Sequence, residues 1–239
     1  MTRFTCERAL DSLVLYDRGY VWLCCPDATT SPLGNVFQDD LLALWRGPRA
    51  RQRRANISRG DFSLCGRCPH LPAPYGPISE TDDAGVPEVG RVPMLSVSFD
   101  RACNLCCSSC RRESRSQEVD VRGLYDVLLR SGWLAEVDSL RLLGSGDPFA
   151  SRACLDFLGE VPWHAYPRLR LHLQTNGLLL NQESYLALGR AASRVSEVSV
   201  SVDADLGAGV RTISGTLDIQ VEPGEAVSVG IVAGVPEPQ

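Results

Sequence analysis

Residues 94–110 read Met-Leu-Ser-Val-Ser-Phe-Asp-Arg-Ala-Cys-Asn-Leu-Cys-Cys-Ser-Ser-Cys and combine a β-prone run with a cluster of cysteines. The β-prone run predicts a strand over residues 95–99. Cys103, Cys107 and Cys110 follow with the spacing C-x3-C-x2-C. Three thiolates on one loop suit a cubane cluster of four irons, whose fourth iron is then open to a small molecule.

From residue 94 onward, predicted strands alternate with predicted helices. Strands are predicted at residues 95–99, 139–143, 170–174 and 197–202. Helices are predicted at residues 121–130, 151–158 and 182–192. This alternation predicts an α/β fold with a parallel sheet, open or curled into a barrel. Binding sites in such folds gather in the loops that follow the carboxyl ends of the strands.

The cysteine motif directly after the first strand resembles that of the radical S-adenosylmethionine (radical SAM) superfamily. The resemblance implies a partial (β/α) barrel and a 4Fe-4S cluster on Cys103, Cys107 and Cys110. It also implies that S-adenosylmethionine binds the open iron and is cleaved reductively to a 5′-deoxyadenosyl radical. That radical would abstract hydrogen from a peptide or carbohydrate-like substrate.

Three later segments resemble cofactor-binding segments of the same family. Gly144-Ser-Gly-Asp-Pro148 resembles its Gly-Gly-Glu-Pro segment, with Asp147 one methylene shorter than the usual Glu. Gln174-Thr-Asn-Gly177 matches its Thr-Asn-Gly turn, and Ser199-Val-Ser-Val-Asp203 resembles its fourth strand. The cofactor-binding residues implied are Ser145, Gly146, Asp147, Thr175, Asn176 and Asp203. No general base is assigned.

Some residues depart from the family pattern. Ser109 stands where an aromatic residue often precedes the last cysteine, and Cys106 is an extra thiol that we interpret as packing or incidental. Cys154, on a predicted helix, is interpreted as a core thiol.

A second cysteine set lies near the N-terminus and comprises Cys6, Cys24, Cys65 and Cys68. Spacing alone leaves a zinc knuckle with four thiolates and an iron–sulfur cluster open. With Gly19 five residues before Cys24, the segment resembles the SPASM or twitch auxiliary module of radical SAM enzymes, here preceding the barrel that it usually follows. That resemblance covers roughly residues 4–70 and implies a second, fully ligated 4Fe-4S cluster for electron relay or substrate docking. Cys25 is the alternative to Cys24.

The predicted organisation is a SPASM/twitch-like module over residues 1–72, a linker over 73–93, and a radical SAM partial barrel over 94–239. In the module, short β-prone runs flank the turn Asp17-Arg18-Gly19, and Asp39 or Asp40 caps a helix that Gly47-Pro48 stops. The arginines at 46, 49, 51, 53, 54 and 59 are interpreted as a solvated basic face.

Residues 205–239 are read as a divergent or shortened end of the barrel, with β-prone patches at 216–221 and 226–232. An unfinished barrel leaves a sheet edge that a partner protein or a second copy would cover.

The composition and charge of the chain argue against several kinds of chemistry, partner and location. All 24 basic residues are arginine, so a lysine Schiff base is excluded. The net charge of -5 makes nucleic acid an unlikely partner. The N-terminus lacks a signal-peptide apolar run and no segment spans a bilayer, so a cytoplasmic protein is expected. The resemblance to radical SAM enzymes implies an electron donor such as flavodoxin or ferredoxin. The alternative function is a non-catalytic iron–sulfur or zinc-stabilised protein that supports a catalytic partner.

Overall fold

The computed structural model describes residues 6, 11–26, 29, 31–65, 68, 90–105, 119–142, 145–203 and 228–234. Cys106, Cys107 and Cys110 lie outside these residues, as does the predicted β-prone patch at 216–221. Among the described residues, no helix has both the length and the apolar character needed to cross a membrane.

One sheet of eight strands organises the described part of the chain, in the order β3-β2-β1-β4-β5-β6-β7-β8. The strands are β1 Ser12–Leu15, β2 Tyr20–Leu23, β3 Gly34–Asn35, β4 Val92–Val97, β5 Val137–Leu142, β6 Arg170–Thr175, β7 Val195–Asp203 and β8 Ser228–Gly234. Strand β1 and strands β4 to β8 run parallel, whereas β2 is antiparallel to β1 and β3. The predicted α/β class is therefore confirmed.

Within the residues that the structure describes, six α-helices accompany the sheet. They are α1 Leu41–Arg46, α2 Pro48–Ser58, α3 Val121–Arg130, α4 Trp133–Glu136, α5 Arg152–Glu160 and α6 Gln182–Leu186. The helix predicted at 121–130 forms as expected, and Ser151 caps α5 by accepting from the Cys154 backbone N–H. The helix predicted at 182–192 is wrong beyond Leu186. A 3-10 helix, Gly189–Arg194, replaces it, and the left-handed φ of 57° at Gly189 is incompatible with a continuing α-helix.

The sheet connects the N-terminal segment to the later βα units. Strand β1 pairs with β4 from Ser12 opposite Met94 to Leu15 opposite Val97. Leu13 and Leu15 are fully buried in the same core as Leu95. The two cysteine-bearing halves of the sequence thus share one sheet and one hydrophobic core.

The two faces of the parallel sheet differ in polarity. One face carries apolar residues such as Leu140 and Leu173, and the aromatic ring of Tyr125 from α3 stacks on Phe157 of α5 with centroids 4.7 Å apart. The opposite face carries Arg141 and His172, which lie beside each other in register. This alternation follows from the period-two geometry of strands.

The hairpin predicted around Asp17-Arg18-Gly19 is confirmed. Strands β1 and β2 pair antiparallel, and the turn is a short 3-10 helix. Gly19 has φ 80°, and a Cβ there would lie 2.8 Å from Val36 and from the Phe37 ring. Glycine is required at this turn for both reasons.

The Gly47-Pro48 pair does end α1, whose cap is Asp40, but Pro48 also begins α2. Proline fits there because the first helical position needs no N–H donor. The interpretation of the arginines as a solvated face is wrong for Arg53 and Arg54 of α2, which are 7% and 0% exposed. Arg54 is buried because its guanidinium stacks 3.8 Å above the Trp45 ring and donates to Trp45 O at 2.8 Å.

Candidate metal centres

The four N-terminal cysteines of the predicted set line one cavity. Cys6, Cys24, Cys65 and Cys68 share a cavity of about 480 Å³, part of which is open to solvent. The remaining lining residues are Leu23, Thr29, Arg53, Asn56, Ile57, Asp61 and Leu64. Residues that are 62 positions apart in sequence, Cys6 and Cys68, are therefore brought to one site.

Local backbone structure positions three of these thiols. Cys24 directly follows β2 and has a left-handed φ of 68°, which is rare for a residue with a Cβ. Cys65 ends the 3-10 helix Ser63–Cys65, and the backbone N–H of Cys68 donates to Cys65 O at 3.2 Å. Cys24, and not its neighbour Cys25, is among the residues that line the cavity.

Burial governs the protonation of these thiols. The pKa of Cys24 is raised to about 11, mainly by desolvation and also by the charges of Cys6, Cys25 and Cys68, while a backbone hydrogen bond from Cys25 acts in the opposite direction. The pKa of Cys65 is likewise raised to about 11, mainly by desolvation and also by Cys6, Cys68 and Asp61, and the Arg53 charge opposes this. Clustered buried thiolates are costly unless a cation is bound among them, and metals bind the thiolate form.

Four thiols in one cavity are the donor set of a closed metal or cluster site, so the residues present fit such a group. Among the described residues, no group of three or more His, Cys, Asp or Glu side chains is close enough to hold a single metal ion. The four thiols are instead distributed around the wall of the wider cavity.

The second centre is built from loops that follow β4, β5 and β6. Cys103, in the loop after β4, accepts a hydrogen bond on Sγ from Asn176 Nδ2 at 3.7 Å. The same amide donates to Asn104 Oδ1 at 2.8 Å. The predicted Thr-Asn-Gly turn therefore lies directly against the first cysteine of the C-x3-C-x2-C loop.

Asp147 connects these loops through its carboxylate, which is 2% exposed. Its Oδ2 accepts from Thr175 Oγ1 at 2.7 Å and from the Asn176 backbone N–H at 2.8 Å. Its Oδ1 accepts from the Phe149 N–H at 3.0 Å, and its own N–H donates to Ala102 O at 2.6 Å. The Asp147 side chain is thus committed to internal hydrogen bonds that hold the three loops together.

Gly146 and Ser145 both contact the segment that follows β4 and leads to the cysteines. A Cβ at Gly146 would collide with Ala102 O and would lie 2.8 Å from Ala102 N. Ser145 Oγ donates to Ser98 O at 3.0 Å. Only glycine at position 146 allows this approach of two backbones.

Asp203, the remaining predicted cofactor-binding residue, is the last residue of β7 and lies opposite Gly234 of β8. Strand β8 overlaps the β-prone patch expected at 226–232. Asp203, Thr175 and the Ser145–Asp147 segment all follow or end parallel strands, so they occupy the same edge of the sheet.

Cys24 and Cys103 lie toward opposite ends of the parallel strands. Leu23, which precedes Cys24, is opposite Leu13, and Leu13 is opposite Leu95 near the start of β4. Cys103 follows the carboxyl end of β4. Cys24 is therefore level with Met94, three residues before the end of β4 at Val97, which at about 3.3 Å per strand residue is roughly 10 Å along the strands.

Histidine 172, interpreted from sequence as an ordinary residue, is buried on the polar face of the sheet. Its Nδ1 accepts from Arg141 Nε at 2.9 Å, and its Nε2 lies 2.7 Å from Glu197 Oε1 and 3.0 Å from Ser199 Oγ. Its pKa is lowered to about 4, mainly by burial and also by the Arg141 charge, while the Glu197 charge acts in the opposite direction. The imidazole is therefore neutral and carries its proton on Nε2.

Two other side-chain roles were missed by sequence reasoning: the cavity contact of Arg53 and the pairing of Arg101 with Asp17. Neither has a sequence signal, because an arginine in a basic run and an aspartate in a turn are both ordinary on a surface.

Comparison with known proteins identifies the first centre. Residues 6–69 match the family model SPASM, an iron–sulfur cluster-binding domain. The N-terminal module is therefore of the SPASM type, a type that occurs in radical SAM enzymes. No curated protein and no solved structure matches the chain.

Proposed function

We propose that this chain is a radical SAM enzyme with two 4Fe-4S clusters. Cys103, Cys107 and Cys110 would hold the first cluster, and Cys6, Cys24, Cys65 and Cys68 the second. When bound, the first cluster supplies the electron that cleaves S-adenosylmethionine to a 5′-deoxyadenosyl radical, which abstracts hydrogen from a peptide or carbohydrate-like substrate.

The observation that carries the proposal is the packing of three motif-bearing loops at the carboxyl edge of β4, β5 and β6. Asn176 donates to Cys103 Sγ, and Asp147 ties the Asn176 turn to Ala102 beside that cysteine. Parallel sheets collect ligand sites at this edge. The SPASM match adds support, because such modules accompany radical SAM cores.

Residues of this chain would position the bound cofactor. Both carboxylate oxygens of Asp147 already accept hydrogen bonds from the protein. In this proposal the methionine group of the cofactor therefore contacts backbone atoms of residues 145 and 146 rather than the Asp147 carboxylate. The polar side chains Thr175 and Asn176 fix the loop at that edge. The placement of Cys24 toward the opposite end of the strands supports electron relay over direct contact with the reacting substrate.

The proposal also includes partners. A flavodoxin or ferredoxin would supply electrons, and a partner protein or a second copy would cover the far edge of the sheet beyond β8. A cytoplasmic location suits both clusters, because reduced thiols persist there.

Iron analysis of anaerobically reconstituted protein tests the proposal. Wild-type protein should hold about eight irons, and the Cys103, Cys107 and Cys110 triple alanine variant about four. S-adenosylmethionine should perturb the electron paramagnetic resonance signal of the wild type and leave that of the triple variant unchanged. Stoichiometric zinc without iron uptake would contradict the proposal. Two clusters with no release of 5′-deoxyadenosine would favour the non-catalytic iron–sulfur function instead.

A further inference from the structure

Arg53 is a buried arginine in which Nη2 donates hydrogen bonds, whereas Nη1 has no hydrogen-bond partner among the described residues. Its Nη2 donates to Ser31 O at 2.6 Å and to Ser31 Oγ at 2.7 Å. Its Nη1 is buried and has no hydrogen-bond partner among the described residues. A buried N–H without an acceptor is costly, and Arg53 differs from the other such groups, among them Arg54 and Trp45, in that its side chain lines the four-cysteine cavity.

Nη1 belongs to a side chain that lines the four-cysteine cavity. Arg53 is close enough to the Cys65 thiol for each charge to affect the pKa of the other. Asp61, on the same wall, is half-buried and accepts from the Ser63 N–H at 2.9 Å. Arg53 is the basic residue among the residues that line this cavity, and it is buried.

The neighbouring Arg54 shows what a purely structural buried arginine does in this helix. Its guanidinium stacks on Trp45 and donates to Trp45 O, and Arg54 is not among the residues that line the cavity. Its Nε and Nη2 also have no hydrogen-bond partner among the described residues, but the Trp45 ring covers the face of the guanidinium. The hydrogen bonds to Ser31 fix Nη2 of Arg53 and leave Nη1 available as a donor. A lysine, with its single amino group, cannot reproduce this arrangement.

We propose that Arg53 is a positioning residue for the cluster of the SPASM-type module, donating from Nη1 to a cysteinyl or inorganic sulfur and stabilising the reduced cluster. This inference rests on the proposed cluster at that site. A four-iron cluster with four thiolates is an anion whose negative charge increases on reduction, so a fixed cation and a hydrogen bond to sulfur raise its reduction potential.

The test is a redox titration followed by electron paramagnetic resonance. The full chain carrying the Cys103, Cys107 and Cys110 alanine replacements is used, so that only the SPASM-type site holds iron. Arg53→Met in that background should lower the reduced-to-oxidised ratio at a fixed applied potential at least tenfold, which is 59 mV for a one-electron couple. Arg51→Met is the matched control, because Arg51 is an exposed residue of the same helix.

Arg53→Gln is the second variant, since it keeps an N–H donor and removes the charge with less loss of packing. It should also lower the potential while retaining the native circular dichroism spectrum. An iron-loaded Arg53→Gln protein with the wild-type potential would overturn the inference and leave the proposed function intact. A wild-type site that takes up no iron would overturn both.

Discussion

Arg101 and Asp17 form a salt bridge that joins the two cysteine-bearing regions. Arg101 Nη2 lies 2.9 Å from Asp17 Oδ2, and the side chains are only 14% and 16% exposed. Asp17 begins the turn after β1, and Arg101 is two residues before Cys103. Since β1 and β4 are parallel neighbours, their carboxyl ends place these residues side by side. The hairpin of the SPASM-type module thus holds the base of the C-x3-C-x2-C loop.

Asp17→Asn should destabilise the protein by about 3 kcal/mol, because it leaves the Arg101 charge buried without a counter-ion. Asp138→Asn is the control, since the Arg91–Asp138 pair at 2.7 Å is 32% and 47% exposed and should be worth less than about 1 kcal/mol. Urea unfolding of the metal-free proteins measures both. Equal losses would show that the pairing with Arg101 is no stronger than a surface contact.

Gly146→Ala should displace the cysteine loop, because the new Cβ meets backbone atoms of Ala102 that cannot rotate away. The expected loss of stability is about 2 kcal/mol or more. Gly159→Ala, near the end of α5 with nothing within 4 Å of its Cβ position, should instead be neutral or stabilising by up to about 1 kcal/mol. Thermal unfolding and retention of iron by the loop compare the two variants. A fully stable, fully loaded Gly146→Ala protein would contradict the packing described.

Asp147→Asn should cost about 2 kcal/mol, because both carboxylate oxygens accept hydrogen bonds and an amide offers only one acceptor. Whichever way the amide turns, an N–H faces another donor. Thr175→Val removes a single donor to Oδ2 and should cost less. Urea unfolding ranks the variants, and the reverse order would show that Asp147 is less committed than its contacts indicate.

Much of the fold followed from the sequence because strands and turns here carry local signals. The repeated strand–loop–helix pattern predicted β5 to β7, and Asp40 and Ser151 cap helices where their side chains accept backbone N–H groups. What sequence did not predict was the pairing of β1 with β4 into a shared sheet. That pairing is a contact between segments about 80 residues apart, and no local pattern encodes it.

The candidate sites, like the fold, were only partly predictable from the sequence. The thiols were expected as ligands from their spacing, and the loop motifs were expected near a cofactor from the resemblance to radical SAM enzymes. The burial of Arg53 was not, since it depends on Ser31 approaching from another part of the chain. Asp147 was expected near a cofactor, yet its commitment to Thr175 and Asn176 depends on how β5 and β6 align. Residue type predicted which chemistry is available, and tertiary contacts decide how each side chain is used.

Cys24 offers a test of backbone conformation at the SPASM-type site. Its φ of 68° is unfavourable for a residue with a Cβ. Cys24→Gly should therefore be more stable than Cys24→Ala by about 1 kcal/mol in the metal-free protein, while both lose the iron of this site. Iron analysis and urea unfolding measure the two effects. Cys25→Ala is the control and should retain the iron, because Cys25 does not line the cavity. Iron loss in Cys25→Ala alone would assign the ligand to Cys25.

His172 makes stability depend on pH. Arg141 donates to Nδ1, so a proton added there would replace an accepted hydrogen bond with a repulsive contact between two donors. Since the pKa of His172 is lowered by burial to about 4 in the folded protein and is near 6.5 when unfolded, the unfolded chain binds more protons between these values.

Stability should accordingly fall as the pH drops from about 6.5 to about 4, by an amount of up to roughly 3 kcal/mol. His172→Gln removes the titrating group and keeps the carboxylates that titrate in the same range, so its stability should fall less over that interval. Urea unfolding of both proteins at a series of pH values isolates the difference. Parallel pH profiles would mean that His172 keeps an ordinary pKa, and that the Arg141–His172–Glu197 contacts tolerate a charged imidazole.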